Sequence, residues 1–321
     1  NAVESFHTEV SDMVVSSATI DSLLKEGEKY EPRKEFQQKA LIQDESIYAE
    51  ADKDFEKFWA REAEGLHWIQ KWTKVLEWDA PFAKWFVGGK INVAENCLDR
   101  HLHDGRRNKA AIVWEGEPGD KKIFTYYQLW REVNKLANVL KSLGVRKGDR
   151  VTIYMPMIPE LPIAMLACAR IGAIHSVILG GFSSRAVHDR VEDAHSTVIV
   201  TADASFRRGG TVFLKKAVDD GIADLAFVEH VVVFKRQGGD CPMKEGRDHW
   251  WHDLMAKAAS WCAPEPMEAT DPVYVLYTSG TTGKPKGLIH GHGGYMVGVY
   301  STLKYVFDIK DEDRFWCAAD P

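Results

Sequence analysis

From about Asn96 to Tyr277 the chain alternates two kinds of segment in an order that few folds tolerate. Short apolar runs rich in β-branched residues read as strands at 150–154, 173–179, 197–201, 230–234 and 273–277. Segments with apolar residues three and four positions apart read as helices at 160–171, 184–193, 211–219 and 250–261. A further helix begins at Thr125, where Thr125-x-x-Gln128 has the form of a capping box. Leu129, Val133, Leu136, Leu140 and Leu143 then share one face, and Gly144 supplies a stop. Upstream, 111–114 and 122–124 read as a hairpin turned by Glu117-Pro-Gly-Asp120. Strands that alternate with helices close right-handed crossovers. The expected fold is therefore α/β, with mostly parallel sheets covered on both faces by helices.

The segment before this alternation is different in kind. Residues 1–50 are charged and mostly polar, with short amphipathic stretches such as 20–24, and suggest an arm or a pair of helices. Trp59, Trp68, Trp72, Trp78 and Trp85 follow in close order and read as packing groups that join an extension to a core. The expected organisation is a helical, Trp-rich extension over 1–95 and the first part of a large domain over 96–321.

With 321 residues, 45% apolar and 27% charged, the chain has the composition of a globular protein. A net charge of −6 leaves no overall basic footprint for nucleic acid. Residues 1–30 lack the apolar core of a secretory signal, and no run approaches the length of a membrane span. The five cysteines are odd in number and scattered, which suits reduced thiols and a cytoplasmic location.

The run from Tyr277 to Gly287 follows the 273–277 strand and crowds Thr278, Ser279, Thr281 and Thr282 together with Gly280, Gly283, Gly287, Lys284 and Lys286. Glycines let backbone N–H groups approach an anion, hydroxyls donate, and the lysines supply charge, so this loop is suited to phosphate oxygens. It is not a Walker A loop. Only two residues separate Gly280 from Gly283, and Pro285 stands where the magnesium-binding hydroxyl would be. A loop that leaves the carboxyl end of a strand lies where α/β sheets bind ligands.

This loop resembles the nucleotide-phosphate loop of the adenylate-forming superfamily, and other stretches narrow the likeness. Tyr48 with Phe55, Phe58 and Trp59, and the run Trp85-Phe-Val-Gly-Gly-Lys-Ile-Asn-Val-Ala-Glu-Asn-Cys-Leu-Asp-Arg100, are similar to the acetyl-CoA synthetase family. So are Gly148-Asp-Arg-Val151, Tyr154-Met-Pro-Met-Ile-Pro-Glu160, Ala169-Arg-Ile-Gly-Ala-Ile-His-Ser-Val177, Gly180-Gly-Phe-Ser183 and Ile199-Val-Thr-Ala-Asp203, in family order. The resemblance covers about residues 48–321. It implies the N-terminal domain of an adenylate-forming enzyme. The implied activity is ligation of acetate to coenzyme A through acetyl-AMP, with ATP, Mg2+ and coenzyme A taking part, no nucleic acid or membrane partner, and propionate as a close rival substrate. A stand-alone nucleotide- or coenzyme A-binding module, or an inactive relic, is the reading of a different class.

By resemblance, Thr278, Ser279, Gly280, Thr281, Thr282, Gly283, Lys284 and Lys286 fall on the triphosphate loop, with Thr278 and Lys284 the expected catalytic groups. Gly180 and Gly181 fall where coenzyme A passes, and Arg207 matches an arginine that binds its nucleotide portion. The family often carries a second arginine three residues on, where this chain has Gly210; Arg208 is the available substitute. Read without the family, Arg207 and Arg208 are a solvated charge pair at a helix start. His101-x-His103 lacks a third metal ligand, and His290 and His292 fit a strand and turn. No metal site is assigned. The family pattern runs on past Pro321 to the acyl pocket, the adenine contacts and a small domain with a lysine that promotes adenylation. A sheet stopped part-way would expose an apolar edge.

Overall fold

A computed structural model describes residues 30–278 and 285–318. They belong to two compact units, divided in sequence after Glu45. In the first, the short helix α1 (Lys34–Lys39) buries no residue.

The second unit opens with helices α2 (Ser46–Lys53) and α3 (Phe55–Ala63). Asp54 sets the start of α3 by accepting the Lys57 N–H at 3.0 Å. An antiparallel hairpin follows, β1 (Lys74–Asp79) and β2 (Phe82–Val87), so the tryptophan-rich segment contains strands as well as helices. Its rings pack edge-on: Trp68 with Trp72 at 4.8 Å, Trp72 with Phe86 at 5.2 Å and Trp59 with Trp85 at 6.2 Å. This is the packing role expected of four of the five tryptophans; Trp78 is exposed.

Beyond β3 (Lys90–Ile91) and α4 (Val93–Cys97), the hairpin β4 (Ala110–Glu115) and β5 (Lys121–Thr125) leads into α5 (Tyr126–Ser142). The capping box forms: the Thr125 hydroxyl accepts the Gln128 N–H and the Gln128 side chain accepts the Thr125 N–H. Leu129, Val133, Leu136 and Leu140 are all buried on one face. Each such side chain contributes about 1.5–3 kcal/mol of burial.

The rest of the chain runs β6 (Arg150–Met155), α6 (Glu160–Ile171), β7 (Ile174–Leu179), α7 (Ser184–Ala194), β8 (Val198–Ala202), β9 (Ser205–Arg207), β10 (Gly210–Val212), α8 (Leu214–Gly221) and β11 (His230–Phe234). It continues through β12 (Asp248–Trp250), α9 (Trp251–Lys257), β13 (Met267–Glu268), β14 (Pro272–Thr278), β15 (Lys286–Gly291) and α10 (His292–Tyr305). Seven strands form the central sheet in the order β12-β11-β8-β6-β7-β14-β15. All neighbours are parallel except β14 and β15. Side chains alternate across it: Val151, Ile153 and Met155 join the core under α5 and α6, while Tyr154 joins the core under α7 and α8. The expected α/β architecture is present. On the outer strand β15, Leu288 and Ile289 are exposed.

Two expected helices are shorter than their patterns. Within 211–219, Thr211 and Val212 belong to the β9–β10 hairpin, whose turn uses Arg208 (φ 52°) and Gly209 (φ 73°), and helix starts only at Leu214. Within 250–261, helix stops at Lys257. Asn138 of α5 donates to the carbonyls of Ala259 (2.9 Å) and Trp261 (2.8 Å), and Asn134 accepts the Cys262 N–H at 2.7 Å, which holds that segment extended. All five cysteines are free thiols. No helix among the described residues is long and apolar enough to cross a membrane.

His175 on β7 and His292 at the start of α10 are both buried, and neither nitrogen of His292 has a hydrogen-bond partner among the described residues. Burial pushes His175 down to about 3 and His292 down to about 4, from an ordinary 6.5. Both are neutral when folded, whereas the unfolded chain protonates them below pH 6.5. Stability should therefore fall as pH drops below 6.5 and level off near the folded values. At pH 5 the loss is about 2 kcal/mol per histidine. Urea titrations between pH 7 and pH 5 check this, and His292→Gln should remove about half of the acid slope.

Candidate functional site at the carboxyl ends of β6, β7 and β14

The path of the chain through the sheet creates a crevice. From β6 it passes through α6 to β7 on one side, then through α7 to β8 on the other side of β6. Because α6 and α7 lie on opposite faces, the loops after β6 and β7 diverge above adjacent strand ends. A cavity of about 280 Å³ opens there, lined by Trp114, Met157, Gly180, Phe206, Arg207 and Arg236.

Gly180 and Gly181 make the turn after β7, and neither position has room for a side chain. A Cβ on Gly180 would lie 2.6 Å from the Met155 carbonyl oxygen. Gly181 has φ 110°, and a Cβ there would lie 3.2 Å from Nη1 of Arg207. The glycines thus let Arg207 and the end of β6 close on the turn. Tyr154, fully buried on β6, fixes its height: its hydroxyl donates to the Phe182 carbonyl at 2.7 Å and accepts the Gly181 N–H at 3.2 Å. Arg207 stands on the β9–β10 hairpin, not at a helix start. Arg208 occupies the turn beside it and Gly210 pairs with Arg207 across it.

The phosphate-loop candidate leaves the next strand. β14 runs parallel to β7 and carries Thr278 to the same edge of the sheet. β15 returns antiparallel, with Thr278 opposite Lys286 and Tyr277 opposite Gly287, so those two pairs close the base of the loop. Ser279, Gly280, Thr281, Thr282, Gly283 and Lys284 lie outside the described residues. The root is tied down by Tyr277, whose hydroxyl donates to Asp193 of α7 at 2.5 Å. The guanidinium of Arg190 lies 5.7 Å from the Tyr277 ring and 5.3 Å from the Phe182 ring, between the two candidate regions. A Cβ on Gly287 would meet Val275 at 2.9 Å and the Tyr277 ring at 3.3 Å.

The structure thus brings Gly180, Gly181 and Arg207 together, and it sets Thr278 and Lys286 at the end of the adjacent pair of strands. His101 instead pairs with Asp104 at 2.7 Å, and no cluster of three or more His, Cys, Asp or Glu suited to a metal occurs among the described residues. His290 lies on β15, stacked at 4.6 Å on Tyr274. The supports Tyr154 and Asp193 are not marked in the sequence, because the first looks like an ordinary strand residue and the second acts on a segment far away in the chain.

A family model described as "AMP-binding enzyme" matches residues 98–321, and one described as "Acetyl-coenzyme A synthetase N-terminus" matches residues 44–97. The chain is 52% identical over 307 residues to an acetyl-coenzyme A synthetase of Gemmatimonas aurantiaca, across 94% of this chain and 47% of that protein. It is 53% identical over 292 residues to one of Rubrobacter xylanophilus, across 91% of this chain and 45% of that protein. A solved structure, the acetoacetyl-CoA synthetase from Streptomyces lividans, superposes with a TM-score of 0.79 at 28% identity, covering 89% of this chain and 46% of that one. The chain spans about half the length of the curated relatives it matches. With a parallel sheet, a crevice at its carboxyl edge and a family model matched from residue 98 to 321, this chain belongs to the AMP-binding enzyme family.

Proposed function

We propose that the chain is part of an enzyme that joins acetate to coenzyme A at the expense of ATP. The observation that carries this reading is the meeting of Gly180, Gly181 and Arg207 beside strand β14, which bears Thr278 and the root of the phosphate loop, in a chain whose relatives are named acetyl-coenzyme A synthetases. In the first step an acetate oxygen attacks the α-phosphorus of ATP and pyrophosphate leaves with the bonding pair. In the second, the sulfur of coenzyme A attacks the acetyl carbon of acetyl-AMP, AMP leaves, and the thiol proton passes to solvent. The chemistry asks the protein chiefly for charge neutralisation and alignment.

Residues 1–95 act as an extension and 96–321 as the first part of the adenylation domain. Thr278, residues 279–284 and Lys286 hold the triphosphate, with Lys284 offsetting negative charge as pyrophosphate departs. Magnesium enters with the triphosphate, as part of the substrate. Gly180 and Gly181 line the path of coenzyme A, and Arg207 holds its anionic nucleotide portion. ATP and coenzyme A are both cytoplasmic metabolites, which suits a cytoplasmic enzyme.

In the protein at its natural length, Lys284→Ala and Thr278→Ala should each lower acetate-dependent ATP–pyrophosphate exchange, by about 10²-fold for the lysine. Unchanged exchange would remove the phosphate-loop assignment. Arg207→Ala should raise the KM for coenzyme A while exchange persists; equal loss in both half-reactions would argue against its role. An exchange panel with acetate, propionate and butyrate tests the substrate. One methylene is worth about 1–3 kcal/mol in a pocket, so acetate should lead by about ten-fold or more. No exchange with any of the three would favour a binding module without ligase activity.

A further inference from the structure

The hairpin that bears Arg207 has three residues in each strand and, among the described residues, pairs with no other strand. A ribbon this small has little stability of its own, so the direction in which Arg207 points must be set from outside. Two contacts from the β4–β5 hairpin do so. The Glu117 carboxylate accepts the Gly209 N–H at 2.6 Å, at the tip of the turn next to Arg207. At the base, Arg236 reaches Asp120 through two parallel hydrogen bonds of 2.7 and 2.9 Å, while its guanidinium lies 5.1 Å from the Phe206 ring and 5.2 Å from the Trp114 ring.

Each member of this arrangement is itself fixed. Trp114 donates from its indole N–H to the Met157 carbonyl at 2.8 Å, on the loop after β6. The Asp203 carboxylate accepts the N–H of Arg236 at 2.7 Å and of Gly238 at 2.9 Å, which sets the backbone from which Arg236 extends. Gly116 leaves the space required: a Cβ there would lie 2.3 Å from Asp120 Oδ1 and 2.9 Å from Arg236 Nη2. Arg236 lines the same cavity as Arg207, yet its donors are turned to Asp120.

We infer that Arg236, held by Asp120 between Trp114 and Phe206, is a positioning residue for the coenzyme A half-reaction, because it fixes the hairpin that aims Arg207 at the Gly181 turn. The inference rests on the proposed function. Arg236 acts through Arg207, so its loss should be felt where coenzyme A binds and not where acetate meets ATP.

The test uses the protein at its natural length with Arg236→Gln, Arg236→Lys, Asp120→Asn, Arg207→Ala and the double variant Arg207→Ala with Arg236→Gln. Each is assayed for acetyl-CoA formation as a function of coenzyme A and, separately, for ATP–pyrophosphate exchange. Arg236→Gln and Asp120→Asn should raise the KM for coenzyme A about ten-fold and leave exchange within about two-fold. Arg236→Lys keeps the charge but loses the planar fork, and should fall between wild type and Arg236→Gln. The double variant should be no worse than Arg207→Ala alone, since the first change has nothing left to position. Additive losses would overturn the inference, as would equal losses of both half-reactions in all the Arg236 and Asp120 variants. An unchanged KM in Arg236→Gln and Asp120→Asn, with a raised KM in Arg207→Ala, would overturn the inference and leave the proposed function standing. An unchanged KM in Arg207→Ala would instead remove the Arg207 assignment on which both rest.

Discussion

The architecture depends on a guanidinium placed where charge is costly. Arg170, at the last turn of α6, has a fully buried side chain. It forms two hydrogen bonds of 2.7 and 3.0 Å to Asp99, and its Nε donates to the Cys262 carbonyl at 2.6 Å. Immediately beside it, Asn92 donates to the carbonyls of Ala169, Arg170 and Glu265. Two segments far apart in sequence, 92–99 and 262–265, are thereby fastened to one helix end. A buried ion that lost its partners would cost several kcal/mol, so these segments cannot move independently. The other end of α6 begins where the chain leaves β6. Fastening the helix therefore also fixes the wall of the crevice formed by Pro156, Met157 and Ile158.

Much of this fold could be read from local pattern. The capping box and the four-three spacing located α5, and Gly172 with φ 73° ends α6 where the sequence stops it. Pattern failed where a distant group overruled it. Residues beyond Lys257 have helical periodicity, yet asparagines on α5 draw their backbone into an extended path. Thr211 and Val212 have the apolar spacing of a helix start, but Gly209 and Gly210 allow a tight hairpin first. The candidate site divides in the same way. Its glycines and Arg207 stand in recognisable motifs, whereas Asp120 and Arg236 are separated by 116 positions and nothing local marks them as a pair.

Helix α7 relates the two halves of the candidate site. Its first turn is capped by Ser183, directly after the Gly180–Gly181 turn, and near its last turn Asp193 receives the Tyr277 hydroxyl. Eleven helical residues span about 16 Å, so the Tyr277 hydroxyl is anchored near the far end of the helix from the Gly180–Gly181 turn. The two regions lie at the ends of the adjacent strands β7 and β14, and Arg190 of this helix lies 5.3 Å from the Phe182 ring of one and 5.7 Å from the Tyr277 ring of the other.

Gly287 bears on how substitutions in the candidate phosphate motif are to be interpreted. It belongs to the same glycine-rich run as Gly280 and Gly283, but the ring of Tyr277 lies across it. An alanine at this position would crowd Val275 and the Tyr277 ring within the strand pair before it affected any anion. A glycine-by-glycine mutational scan would thus record two different kinds of defect under one motif, and the stability of the strand pair β14–β15, measured with no nucleotide present, is what separates them.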